Sequence, residues 1–172
     1  MRRDLEAFAP DLLHVSSPDF AARAAERWAR SRGIPVLASV HTRFETYPRY
    51  YGLGFTERPL EAYIRSLYRR CDALVTPSAS MAEVLREQGM NDDISLWERG
   101  VDRELFNSGR RDLAWRRTHG LADDDVAIGF LGRLVMEKGL ETFAATSAEL
   151  RRRKVAHKLL VIGAGPARAW FE

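Results

Sequence analysis

Four short segments of this 172-residue chain hold side chains able to do chemistry, and each follows an apolar run. The first is His41-Thr42-Arg43-Phe44-Glu45-Thr46-Tyr47-Pro48-Arg49-Tyr50-Tyr51-Gly52. An imidazole can hydrogen-bond a sugar hydroxyl, and aromatic faces can cover a ring. Equally, His41 could cap a loop while Tyr47, Tyr50 and Tyr51 pack on a neighbouring helix. The second is Gly132-Arg133-Leu134-Val135-Met136-Glu137-Lys138-Gly139. Glycine lets backbone come close, and Gly139 opens a helix whose N-terminus favours anions. Arg133 and Lys138 bracket that position and could hold a diphosphate, each charge-assisted bond being worth roughly 1.5–3 kcal/mol. Lys138 is one of only 3 lysines beside 24 arginines, a hint that ammonium is wanted there. A solvated Glu137/Lys138 turn is the plainer alternative. The third, Gly163-Ala164-Gly165-Pro166-Ala167-Arg168, fails the dinucleotide fingerprint at its third glycine, where Arg168 stands. A nicotinamide dehydrogenase is therefore not expected. A tight turn into a helix with Pro166 at its first position is expected instead. The fourth, Trp97-Glu98-Arg99-Gly100-Val101-Asp102, reads by itself as a turn.

The elements that must position these segments alternate. Leu12–Val15, Pro35–Val40, Ala73–Thr76 and Ile94–Trp97 read as short buried strands. Between them run a helix from about Asp19 to Arg32, with Phe20, Ala24 and Trp28 on one face, another from Arg58 to Arg70, and a third from Ser78 to Gln88. The pattern breaks from Glu98 to about Arg111, a stretch rich in turn formers, and resumes with a helix near Asp112–His119. Strand Val126–Leu131, a helix from Leu140 to about Arg153 and strand Lys158–Ile162 complete another β-α-β unit. This is an α/β chain with parallel sheets, expected to be covered on both faces, and ligands belong beyond the C-terminal strand ends.

Composition narrows the classes. With 45% hydrophobic and 30% charged residues the chain is of the soluble globular type. No uncharged apolar stretch approaches the ~18 residues of a membrane helix. Acid at Asp4 and Glu6 argues against a signal peptide. The lone Cys71 excludes an internal disulfide and any cysteine-cluster metal site, which fits a cytoplasmic setting. Net charge is only +3 with no dense basic block, so nucleic-acid binding is not indicated. The pairs Arg69-Arg70, Arg110-Arg111 and Arg116-Arg117, with Arg151–Lys154, read as solvated cations that could also touch anionic lipid head groups.

Taken in order, Ser39-Val40-His41-Thr42-x-Phe44, Val75-Thr76-Pro77-Ser78, Gly100-Val101-Asp102-x-x-x-Phe106, Gly132-Arg133-Leu134-x-x-Glu137-Lys138-Gly139 and Gly163-x-Gly165-Pro166 resemble the retaining glycosyltransferases of family four, which have the GT-B fold. The wording is nearest to bacterial lipid mannosyltransferase-like and sulfoquinovosyltransferase-like enzymes. The resemblance implies two partial Rossmann-like domains, truncated at both ends: residues 1–98 on the acceptor side, a linker over 99–111, and residues 112–172 on the nucleotide-sugar side. It implies donor-diphosphate binding by Arg133 and Lys138, an approach of His41 to the donor sugar, and a nucleotide near Gly132, Gly163 and Gly165. The donor would be a nucleoside diphosphate sugar such as GDP-mannose or UDP-glucose, the acceptor a lipid or glycan hydroxyl, with no metal or other cofactor. The setting would be cytoplasmic or peripheral to the inner face of an anionic membrane.

The family's paired glutamates, Glu-x7-Glu, are expected beyond Glu172, which makes the chain an interior fragment by this reading. Glu141 and Glu149 have that spacing but share one helix, about 80° apart and ~12 Å along its axis, so they cannot converge on one sugar. The alternative is a nucleotide-binding remnant without catalysis, or an incomplete domain needing a partner and its flanking segments to cover exposed sheet edges.

Overall fold

The computed structural model describes residues 1–171 and divides into two compact units, Met1–Gly100 and Val101 onward. Glu172, the last residue of the expected second domain, lies outside the described residues.

In the first unit, β1 (Leu13–Val15), β2 (Val36–Ser39), β3 (Ala73–Thr76) and β4 (Ile94–Leu96) form a parallel sheet in the order β1-β2-β3-β4. Helix α1 (Arg2–Phe8) precedes it, and α2 (Phe20–Arg30), α3 (Glu57–Tyr68) and α4 (Ala79–Glu87) connect the strands. Asp19 and Ser78 start α2 and α4 by accepting the amides of Ala22 and Met81, at 2.7 and 3.3 Å. Strands laid down in sequence order by right-handed crossovers put all three connecting helices on one face. The core lies there, where Val15, Val36, Ala38 and Leu74 meet Trp28, Ile64, Leu67 and Leu85. Helices on both faces were expected; among the described residues this sheet has them on one, because the strand order never reverses. Alternation turns His14, Leu37, Ser39, Val75 and Ser95 to the other face.

Two sequence expectations fail inside this unit for one reason. Phe20 does not join the buried stripe of α2; it is 84% exposed, against Tyr63 at 5.5 Å. The inward face is Ala25, Glu26, Trp28 and Ala29. Glu26 is fully buried and accepts from Arg70 Nε at 2.8 Å, with Arg30 Nε at 3.7 Å. Arg70 is therefore not a solvated cation but the partner of a buried carboxylate, which lets α2 rotate a charge inward.

Burial also acts on Cys71, whose thiol is pushed up to about 12 by desolvation, helped by the Glu26 and Asp72 carboxylates. The Tyr68 hydroxyl is raised by burial in the same way. Above the ordinary thiol value of 9.0 the unfolded chain sheds protons that the folded chain keeps, so stability falls as pH rises. The unit should hold its full stability below about pH 9 and lose it progressively toward about pH 12. Melts followed by circular dichroism across this range check the fall, which Cys71→Ala should blunt.

In the second unit, β5 (Ala127–Leu131) and β6 (Lys158–Ile162) pair in parallel across α6 (Leu140–Arg152), whose Phe143 meets Phe130 edge-on at 5.7 Å. The short α5 (Leu113–Thr118) and α7 (Arg168–Phe171) flank them. Pro166 is not the first residue of α7; it sits in a turn closed by the Arg168 amide on the Gly165 carbonyl at 3.1 Å. Arg116 also departs from the solvated role, since its guanidinium donates to the carbonyls of Ala122 and Asp125 at 3.0 and 2.7 Å. Arg117 pairs with Asp123, so this arginine pair ties down the loop before β5.

Candidate functional site

The site residues fall at the C-terminal ends of parallel strands, where each unit opens. In the first unit His41 follows β2, and the backbone around it is fixed from both sides. The Val40 amide donates to the Val75 carbonyl at 2.8 Å, and Thr76 Oγ1 donates to the Val40 carbonyl at 3.2 Å. Downstream, Arg43 Nε reaches the buried Glu45 at 2.7 Å, and Thr46 Oγ1 donates to the Arg43 carbonyl at 2.8 Å. A 3₁₀ helix then runs over Phe44–Tyr51 where an irregular loop was expected. Tyr47 packs on Phe44 at 5.8 Å, but Tyr50 and Tyr51 stay exposed. The His41 ring is not a loop cap: its Nδ1 is buried with no hydrogen-bond partner.

Sequence reasoning passed over the group that His41 does touch. Trp97, directly after β4, has its indole 6.2 Å from the His41 ring and 5.9 Å from that of His14. Its amide donates to the Thr76 carbonyl at 2.8 Å. His41, Trp97, Glu98, Arg99 and Gly100 line an open cleft of about 490 Å³. The signal was present in strand parity, since His14 alternates with the inward Leu13 and Val15.

In the second unit the Gly132–Gly139 loop is nailed down by its apolar residues, leaving the cations free. Leu134 and Val135 are buried, as is Leu140 where α6 begins. Arg133 and Lys138 are exposed, and neither side chain has an ion-pair or hydrogen-bond partner among the described residues. Gly139, at φ +77°, is the N-cap of α6, a left-handed geometry that glycine adopts at no steric cost. It begins a 13-residue helix directly after Lys138, and the first amides of such a helix have no intrahelical acceptor.

Gly132, Gly163 and Gly165 come together, for a reason stronger than ligand approach. The Gly132 amide donates to the Ile162 carbonyl and the Leu134 amide to the Ala164 carbonyl, both at 3.0 Å. The Ala167 amide returns to the Leu134 carbonyl, also at 3.0 Å. The β5–β6 ladder thus continues into the two loops, and a Cβ at Gly163 or Gly165 would lie 1.8 or 2.3 Å from a backbone oxygen. Of the remaining motif residues, Asp102 caps its own turn, accepting the amides of Glu104 and Leu105 at 2.9 Å. Glu141 and Glu149 share α6 as expected, and Glu149 is engaged by Arg152 and Arg153.

Parallel α/β units carrying polar groups beyond their C-terminal strand ends are the general architecture of open α/β ligand-binding folds, and the GT-B fold is one of them. The solved structure of sucrose-phosphate synthase from Thermosynechococcus elongatus superimposes with a TM-score of 0.70 over 97% of this chain and 41% of that one, at 17% identity. The chain belongs to glycosyltransferase family 4, whose model, Glycosyltransferase Family 4, matches residues 1–105. Among curated relatives, the GDP-mannose-dependent alpha-mannosyltransferase of Corynebacterium glutamicum is 31% identical over 98% of this chain and 39% of its own length. Sulfoquinovosyl transferase SQD2 of Arabidopsis thaliana is 30% identical over 95% of this chain and 32% of its own length. The chain therefore spans less than half the length of the curated relatives it matches, from 32% to 45%. No helix among the described residues is long and apolar enough to cross a membrane.

Proposed function

We propose that the whole protein transfers a hexose of mannose or glucose type from a nucleoside diphosphate sugar, such as GDP-mannose or UDP-glucose, to a hydroxyl of a lipid or glycan, with retention at the anomeric carbon. The observation that carries this reading is the pair of unpartnered cations, Arg133 and Lys138, on the loop that leads into the N-terminus of α6. In the reaction the acceptor oxygen bonds to the anomeric carbon, the bond from that carbon to the diphosphate oxygen breaks, and the hydroxyl proton passes to the departing diphosphate. Negative charge then grows on the departing diphosphate, where Arg133, Lys138 and the helix amides meet it, so this role needs no metal. Gly132, Gly163 and Gly165 keep side chains away from the nucleotide, and His41 orients the hexose.

The relatives support the donor class by name, and exposed Tyr50, Tyr51, Leu53 and Phe55 support peripheral contact with a membrane surface. The test is transfer by the whole protein from GDP-mannose or UDP-glucose, with the product anomer read by proton NMR. Lys138→Ala should weaken donor binding about 10- to 150-fold, the equivalent of one lost charge-assisted bond of ~1.5–3 kcal/mol. Unchanged donor affinity in that variant would overturn the assignment of Lys138. Nucleotide binding without transfer would leave a binding protein in place of an enzyme.

A further inference from the structure

We propose that Trp97 is the platform for a pyranose ring in the first unit, with His14 and His41 at its edge and Glu98 and Arg99 taking ring hydroxyls. The ligand class rests on the hexosyl-transfer reading; Trp97, His14, Glu98 and Arg99 are assigned by geometry. The indole is 52% exposed although two rings lean on it, at 48° and 55° to its plane. A tryptophan held only for packing would be covered, whereas this one keeps part of its surface open in a cleft of about 490 Å³, of the size that holds a small molecule.

The platform is rigid. The Trp97 amide is bonded to the Thr76 carbonyl, and Thr76 Oγ1 to the carbonyl of Val40, the residue before His41. One polar atom beside it is unpaid: His41 Nδ1 is buried without a partner, a situation folded proteins rarely leave.

Charge then selects the ligand. Glu98 and Arg99 line the cleft together, both exposed and without a side-chain partner among the described residues. A carboxylate beside the guanidinium disfavours a phosphate, while both planar groups can bridge neighbouring hydroxyls of a neutral ring. A pyranose offers a C–H face for the indole and a rim of hydroxyls for the charged pair. That ring is either the hexose of the donor or a sugar of the acceptor.

NMR of the histidine imidazoles tests this, because the chain has only His14, His41, His119 and His157. Titrating the full chain with methyl α-mannopyranoside or methyl α-glucopyranoside should move the His14 and His41 signals and leave His119 and His157 in place. Trp97→Ala should abolish the movement, and the surface pair Glu98→Ala/Arg99→Ala should raise the midpoint about tenfold, roughly one good hydrogen bond. GDP and UDP alone should leave both signals unmoved. GDP-mannose or UDP-glucose acting at tenfold lower concentration than the methyl glycoside identifies the donor hexose; equal midpoints identify an acceptor sugar. Absence of movement at ~100 mM pyranoside, or undiminished movement in both variants, overturns the proposal. Failure of the donor reading looks different: GDP and UDP binding becomes indifferent to Lys138→Ala while the pyranoside shifts persist.

Discussion

Alanine at Gly163 or Gly165 should collapse the second unit, while alanine at Gly129 in the neighbouring strand should leave it standing. A Cβ at Gly163 would sit 1.8 Å from the Gly132 carbonyl oxygen, and one at Gly165 would sit 2.3 Å from that of Leu134. Both obstacles are backbone held in a ladder, so neither can swing aside as a side chain would. At Gly129 the first atom met is the Leu160 carbonyl oxygen at 4.0 Å, an ordinary contact. The cost at 163 or 165 should exceed the ~1–3 kcal/mol of common overpacking. At ~4–8 °C per kcal/mol for a small domain, that is a loss of at least ~10 °C in melting temperature. Circular-dichroism melts of the three variants decide it; Gly165→Ala melting within ~2 °C of the parent would show that the two loops are not pressed together.

The second large effect is expected far from any ligand. Arg70→Ala removes the 2.8 Å partner of the fully buried Glu26 and leaves only Arg30 at 3.7 Å. Stripping one member from a buried ion pair costs ~3–5 kcal/mol, and the 44% exposure of Arg70 puts this pair near the lower end. A fall on the order of 10–20 °C in the melt of the first unit follows. Glu26→Gln should cost less, because the amide oxygen still accepts from Arg70 and no bare charge remains. Equal melts for Arg70→Ala and the parent would mean that Glu26 is served by Arg30 alone.

These two effects mark where the sequence was readable and where it was not. Strands such as Ala73–Thr76 and Lys158–Ile162 were visible because each is a short apolar run bounded by turn formers or polar residues. Arg133 and Lys138 stood out by charge next to glycines, and the loop leaves both exposed. Glu26 was hidden because local periodicity cannot foresee that a residue 44 positions away will supply the counter-charge. Trp97 was legible only in part: parity turns His14 away from the inward Leu13 and Val15, but the meeting of Trp97 with His14 and His41 depends on the order of four strands. The glycines at 163 and 165 were legible as a turn, but the loop pairing that demands them is a tertiary fact.

The central claim is that the second unit holds a nucleoside diphosphate through Arg133 and Lys138. It is tested most directly by thermal melts of this chain alone and with GDP, UDP, GDP-mannose and UDP-glucose. A specific ligand at about 100 times its dissociation constant should stabilise the unit by ~2.7 kcal/mol, a clear upward shift for a domain of this size. One base should give that shift, and Arg133→Ala and Lys138→Ala should each remove most of it. A shift of the same size in both variants, or no shift with any of the four ligands, would contradict the claim.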